Sequence, residues 1–320
     1  MKTSVVVGKP VAPNSFQEKE RQCRALFDSV IRRGLSFWHV CTPGTFQQII
    51  FESPADYEFG MVTAATASYD TGVKIITFEL MSNHVHFVVY CKAKENAVSF
   101  LELYRKRLIR YFRNQKRVID LSHFYSEPIA IETLESLRNQ IVYTNRNNFV
   151  VDPSQTPFSF PYGANAFFFN PFAKAIQGCS FGTLSLRSKI RLIHSKETDY
   201  PDAFMVTGSH FTPPSFCDIS LGEKIFRDAR HYMYKLTRDV ESYKELAALL
   251  SDVDYYTDDE LVTIVYSICR EKYGSSKPSL LPVQQKEELA GILHYEYRAD
   301  NRKISRLLQF PIQTLNEKFP

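Results

Sequence analysis

The chain of 320 residues has no C-x-x-C pair, and its six cysteines (Cys23, Cys41, Cys91, Cys179, Cys217 and Cys269) are widely separated. That spacing excludes a zinc knuckle of paired cysteines; with no secretory leader pattern, it implies free thiols in a reducing cytoplasm. No uninterrupted apolar run reaches the ~18 residues that span a bilayer, so no membrane partner is expected. No unit recurs at a fixed period, which excludes solenoids and propellers. An excess of one charge is missing too: 39 basic against 35 acidic residues give a formal +4. Any polyanion-binding surface must therefore arise by local clustering. What is present is ordinary globular material, 44% hydrophobic and 23% charged, with 25 Phe and 18 Tyr against a single Trp. The length suits two domains, each able to bury a core.

One stretch organises the rest: Met81-Ser82-Asn83-His84-Val85-His86-Phe87-Val88-Val89-Tyr90. Its Val and Phe content predicts a strand, and the β-rich run from Val73 to Leu80 pairs with it across a Ser82-Asn83 turn. In a strand, side chains alternate, so His84 and His86 share a face. Phe78, Leu80 and Val88 are expected on that face with them. Two stacked imidazoles make half a metal site; the alternative is two histidines on the polar side of a half-buried strand.

Around this hairpin the pattern alternates. Ser15 with Glu18 reads as a capping box opening a helix that buries Phe16, Leu26, Phe27, Val30 and Ile31 and stops near Gly34. Ser36 to Cys41 reads as a strand, residues 54–68 as a helix, and residues 124–131 as an edge strand interrupted by Pro128. A helix over 97–114 buries Leu101, Tyr104, Leu108 and Tyr111. Its other side carries Arg105, Lys106, Arg107, Arg110, Arg113, Lys116 and Arg117, a density of cations suited to phosphate contacts. A further helix over 134–148 buries Leu134, Leu137, Ile141 and Val142, with Gln140, Tyr143 and Asn147 together on another face.

After Asp152-Pro153 comes a Pro- and aromatic-rich stretch, read as a packed connection. Helices are predicted over 221–239 and 243–250, and from a Thr257–Glu260 capping box to Gly274. Last come helices over 284–297, 302–308 and 312–319, with Pro311 opening the third. The closing pair, around Gln309-Phe310-Pro311, has a helix-turn-helix pattern. Its second helix would offer Gln313, Thr314, Asn316 and Lys318 to DNA bases or phosphates. The domain reading is therefore an arm and helix over 1–33, a core over 34–165, a connection over 166–215, and a helical domain over 216–320 with the helix-turn-helix-like unit near 284–319.

A tyrosine beside paired histidines suggests phosphodiester chemistry. A phenol is a weak nucleophile, with a pKa of about 10, but it can attack a phosphate polarised by a divalent cation. Asn147, one helical turn beyond Tyr143, can add an amide oxygen to the two imidazoles; Asn139 and Gln140 are the alternative amides. Such a set leans to Mg²⁺ or Mn²⁺, although imidazole also suits zinc.

The run MSNHVHFVVY resembles the signature strand of the HUH nucleases, and its Asn-His-Val-His wording is closest to the single-tyrosine transposases. Ile141-Val142-Tyr143-Thr144-Asn145-Arg146-Asn147-Asn148-Phe149 resembles the nucleophile helix of the REP-associated branch, with Asn147-Asn148 where that branch usually has Asn-Pro. Val151-Asp152-Pro153 and Thr156-Pro157-Phe158-Ser159 echo the same branch, and the likeness covers residues 34–163. It implies an α+β, ferredoxin-like antiparallel sheet with helices on one face, followed by an all-α C-terminal region. It implies His84, His86 and Asn147 as ligands of Mg²⁺ or Mn²⁺ and Tyr143 as nucleophile. The activity implied is cleavage and rejoining of single-stranded or hairpin DNA through a 5′-phosphotyrosine, by a monomer or homodimer in the cytoplasm near the nucleoid. Arg105, Lys106, Arg110, Arg113, Lys116 and Arg117 are the expected backbone contacts. Competing readings are a domesticated DNA-binding regulator that kept the core, and a zinc hydrolase unrelated to DNA.

Overall fold

The computed structural model describes residues 15–43, 49–151, 156, 158–175, 178–237, 258–275, 277–295, 297, 299 and 301–319. The N-terminal part of the expected arm, residues 1–14, together with Asp152, Pro153 and Pro157, the helix over 243–250 and the Thr257 cap, lies outside the described residues.

Alternating apolar runs form a four-stranded sheet: β1 (Ser36–Cys41), β2 (Lys74–Leu80), β3 (Val85–Cys91) and β4 (Ile129–Ile131), in the order β2-β3-β1-β4 with every neighbour antiparallel. The chain enters through α1 (Ser15–Arg32). It crosses from β1 to β2 by α2 (Pro54–Thr71) and from β3 to β4 by α3 (Lys94–Asn114), then continues into α4 (Leu134–Val151). The strand expected over 124–131 is shortened to β4, which begins only after Pro128; it is an edge strand, as expected, pairing only with β1 among the described residues.

Side-chain parity assigns the helices to both faces of the sheet, not to one. Phe87 of β3 meets Phe100 and Tyr104 of α3, with ring centroids 5.0 and 5.4 Å apart. α2 lies on that side as well: a Cβ at Gly60 would come within 2.8 Å of Leu80 Cδ1 and 3.1 Å of the Tyr104 hydroxyl. On the other face Phe27 of α1 stacks on Phe37 of β1 at 5.2 Å, and Thr77 of β2 hydrogen-bonds Asn145 of α4. An antiparallel four-stranded sheet buried on both sides needs two helical layers, and α1 and α4 supply the second.

The hairpin register corrects the expected partners of the histidines. Leu80 pairs with Val85, Phe78 with Phe87 and Glu79 with His86. Directly opposed residues share a face, so Phe78 and Leu80 turn to the α2/α3 side. Thr77 and Glu79, both buried, share the α4 side with His86. On α1, Cys23, Phe27 and Val30 are buried while Phe16 and Ile31 are exposed, so the buried stripe is narrower than the sequence suggests.

Beyond α4 come α5 (Pro171–Lys174), α6 (Leu186–Ile193), α7 (Pro213–Phe216), α8 (Ile219–Lys224) and α9 (229–237), with a small sheet of β5 (Cys179–Ser180), β6 (Met205–Thr207) and β7 (His210–Phe211). The helix expected over 221–239 is thus two, broken after Lys224. Phe168, Ile219, Leu221, Ile225, Tyr232 and Leu236 join the apolar cluster of the main sheet. A separate cluster forms within α10 (Asp258–Tyr273), α11 (Val283–Tyr295), α12 (Asn301–Leu308) and α13 (Ile312–Lys318). Ile304, Leu308, Phe310 and Leu315 are buried between the last two helices, but Ile312 is exposed and Pro311 caps α13 from outside it.

Candidate metal centre

β3 and β1, the two inner strands, bring three histidines and a cysteine to one place. His84 immediately precedes β3 and His86 is its second residue; Cys41 of β1 stands directly opposite His86, and His39 lies one step along the same face. His84 Nε2 and His86 Nε2 are 2.8 Å apart, and the other nitrogen of His86, Nδ1, is 3.3 Å from His39 Nε2. His84 Nδ1 is held by Asn83 Oδ1 at 2.9 Å. All three rings are buried. His39, Cys41 and His86 offer one ligand atom each, all within 4.8 Å of one another.

The electrostatics keep His39 and His86 in the form that binds cations. Burial pushes His39 down to about 4, partly opposed by a hydrogen bond with Gln140. Burial, then the neighbouring His84 and His39, hold His86 well below the usual histidine range. Both therefore keep a lone pair at neutral pH. Burial pushes the Cys41 thiol up, against a hydrogen bond with Ser126, so a metal must displace its proton to bind there.

α4 closes the site. Tyr143 presents its ring edge to His86 at 5.5 Å and to His39 at 6.0 Å, and is itself 41% exposed. The Arg146 guanidinium lies 5.6 Å from the centre of the Tyr143 ring. Asn147 follows Tyr143 by one turn, and its side-chain Nδ2 is buried without a hydrogen-bond partner. An orphaned buried amide costs about 1–3 kcal/mol. A half-turn of the amide would put an acceptor oxygen in its place, as a cation ligand requires. With His39, Cys41 and His86 offering ligand atoms within 4.8 Å of one another, the residues present fit a metal ion.

No family model, curated protein or solved structure matches this chain. The site must be read from its own atoms.

Those atoms bring together His84, His86 and Tyr143, on elements far apart in sequence, and place Asn147 on the same helix. The sequence reading did not include His39 and Cys41. Their signal was the same as that of His84 and His86: an i, i+2 pair in a strand, His39-Val40-Cys41.

The basic side of α3 is on the opposite sheet face from this centre. Three of its cations are engaged in structure. Arg107 is buried and pairs with Asp70 and the Tyr200 hydroxyl; Arg117 pairs with Asp56 at 2.8 Å; Arg105 Nε donates to the Leu121 carbonyl at 2.8 Å. Lys106 lies 3.7 Å from Glu102 but is exposed, as are Arg110, Arg113 and Lys116. On α13, Lys318 pairs with Glu287 at 2.6 Å and Asn316 accepts from Asn301 at 3.0 Å, while Gln313 is exposed and Thr314 half-buried.

A buried network fixes the rotation of α4. Asn145 Oδ1 accepts from the Thr77 hydroxyl, and its Nδ2 donates to the Tyr232 hydroxyl at 2.8 Å. Tyr232 donates to Asn165 Oδ1 at 2.5 Å, and Asn165 Nδ2 donates to the Asn145 carbonyl at 2.9 Å. With Asn145 locked to β2, the rotation of α4 is set, and with it the directions of Tyr143 and Asn147, two residues to either side.

Proposed function

We propose that this chain is a divalent-metal-dependent nuclease and ligase of the single-tyrosine HUH transposase type, cutting and rejoining single-stranded or hairpin DNA. The observation that carries the reading is the convergence of Tyr143 on His86 at 5.5 Å, with His84 Nε2 2.8 Å from His86 Nε2. Two ligands at about 2.1 Å from one octahedral ion lie about 3.0 Å apart, so the His84–His86 spacing suits a shared cation. The order β2-β3-β1-β4, with helical crossovers from β1 to β2 and from β3 to β4, supports a ferredoxin-like core. The α12–α13 pair supports a helix-turn-helix unit, with Gln313 and Thr314 its best-placed contacts.

In this reading His84, His86 and Asn147 hold Mg²⁺ or Mn²⁺. The bound cation would withdraw charge from the scissile phosphate and orient it. Tyr143 Oη bonds to phosphorus as the bond to the 3′ oxygen breaks, giving a 5′-phosphotyrosine and a free 3′-OH. The phenolic proton passes to water, which reaches Tyr143 at its exposed side, and water returns a proton to the departing 3′ oxygen. Arg146, beside the ring, is placed to offset the developing negative charge. Attack of a 3′-OH on the same linkage reverses the step, so no external energy is needed. A monomer or homodimer in the cytoplasm, near the nucleoid, would suit this chemistry.

The test is incubation with hairpin-bearing single-stranded oligonucleotides and Mn²⁺ or Mg²⁺, followed by denaturing electrophoresis. Wild type should form a covalent adduct; Tyr143→Phe should bind DNA and form none; His84→Ala should form none while keeping its fold. An adduct that persists in Tyr143→Phe overturns the assignment and points to the half-exposed Tyr125, since Tyr104 and Tyr111 are buried.

A further inference from the structure

The histidine cluster holds two donors that the proposed nuclease does not use, His39 and Cys41, and the second is soft. Cys41 Sγ lies with one nitrogen each of His39 and His86 inside a 4.8 Å group. Thiolate with two imidazoles is a donor set for Zn²⁺ and leaves a fourth position open. Nitrogens bound at about 2.05 Å to one tetrahedral ion are about 3.3 Å apart, the separation of His39 Nε2 and His86 Nδ1. Rotation of the Cys41 side chain would close the remaining gap.

His86 belongs to both possible sets, and by opposite nitrogens. Its Nε2 faces His84 and its Nδ1 faces His39. A neutral imidazole has one lone pair, the other nitrogen carrying hydrogen. Ligation through Nδ1 makes Nε2–H a donor to His84, whereas ligation through Nε2 makes Nδ1–H a donor to His39. The two modes exclude each other.

We infer that His39, Cys41 and His86 form a zinc-selective site whose occupation withdraws His86 from His84. Zinc binding stands on this geometry alone; its inhibitory effect rests on the nuclease reading above. Mg²⁺ has little affinity for thiolate, so it does not compete for the Cys41 side. The same centre would then accept a hard ion for catalysis and a soft ion as an inhibitor.

The experiment is titration of the full-length, metal-free chain with Co²⁺, which reports thiolate ligation by a near-ultraviolet charge-transfer band. One equivalent should develop the band, stoichiometric Zn²⁺ should abolish it, and excess Mg²⁺ should not. His84→Ala should keep the band, Cys41→Ser should lose it, and His39→Ala should weaken binding by at least about 10-fold. In wild type, zinc should also slow alkylation of Cys41, a readout independent of how the variants fold. No band from folded wild type, a band that survives Cys41→Ser, or no protection of Cys41 would each overturn the site. The binding assay contains no DNA, so failure of the nuclease reading would leave it unaffected. Zinc that fills the site yet leaves Mn²⁺-dependent adduct formation intact would overturn the exclusion between the two modes.

Discussion

Asn145→Ala tests whether the polar network behind Tyr143 is what fixes α4 on the sheet. Thr77, Asn145, Tyr232 and Asn165 are all buried, so each lost partner is felt. Removing the Asn145 side chain leaves the Thr77 hydroxyl without its acceptor, at about 1–3 kcal/mol. Tyr232 keeps Asn165 as acceptor and loses only a donor to its oxygen, a smaller effect. The vacated amide volume adds about 1 kcal/mol, for a total near 2–4 kcal/mol. At 1.4 kcal/mol per factor of ten, that is about 30- to 700-fold in the folding equilibrium. The assay is urea unfolding followed by Trp38, the single tryptophan, which lies in β1 and so reports this sheet and not the C-terminal helices. Thr77→Val alone strands the Asn145 side-chain Oδ1, but the double variant strands neither partner. The two single effects should therefore sum to at least about 1 kcal/mol more than the double effect. Additivity within about 0.5 kcal/mol would refute the claim that these side chains are coupled.

Glu20 sits between Arg138 and Arg227, and its hydrogen bond with the buried Arg138 holds its carboxyl below the ordinary value of 4.5. A depressed folded pKa gives stability that is complete above the unfolded value and lost as pH falls through the folded one. The urea midpoint of wild type should thus drop more between neutral and acidic pH than that of Glu20→Gln, and parallel curves would refute this. On α3, Arg113→Glu should weaken DNA binding and flatten its salt dependence by about one unit of log–log slope, without loss of stability. Arg107→Met should instead destabilise by about 1–3 kcal/mol, below the full value for a buried pair because Asp70 is partly exposed. Equal effects of these two substitutions on DNA binding would undo the division of the helix into structural and exposed cations.

The sheet and its helices were legible because period-two and period-3.6 patterns are local, and Gly34, Gly72 and Gly274, all at positive φ, mark the breaks. Parity across the β2–β3 turn was not. The offset of Leu80 against Val85 depends on the turn's geometry, so Phe78 was assigned to the wrong face. Arg107 and Arg117 looked like members of a phosphate-binding stripe because their carboxylates, Asp70 and Asp56, lie 37 and 61 residues away. Residues near one another in sequence and alike in charge read as one surface until long-range partners divide them. The His84–Tyr143 pairing was readable only through a resemblance. His39 and Cys41 were readable from strand parity, but only once β1 was known to lie beside β3.

The two helical layers bear on how a nucleic acid could meet this protein. α3 and α4 stand on opposite faces, about 20 Å apart if each layer is about 10 Å from the sheet. On the nuclease reading, Arg110, Arg113 and Lys116 therefore cannot hold the phosphate that Tyr143 would attack. A strand touching both layers must round an edge of the sheet. The β2 edge is occupied, since Ile75 bridges to Cys217 and Glu79 to Gly163. The β4 edge has no strand beyond it among the described residues, and β4 is only three residues long. On the nuclease reading, the β4 edge is therefore the candidate route from the α3 cations to Tyr143. If the nuclease reading holds, α3 on that path would grip DNA flanking the scissile linkage, and Arg146, beside the Tyr143 ring, would be a cation next to the chemistry.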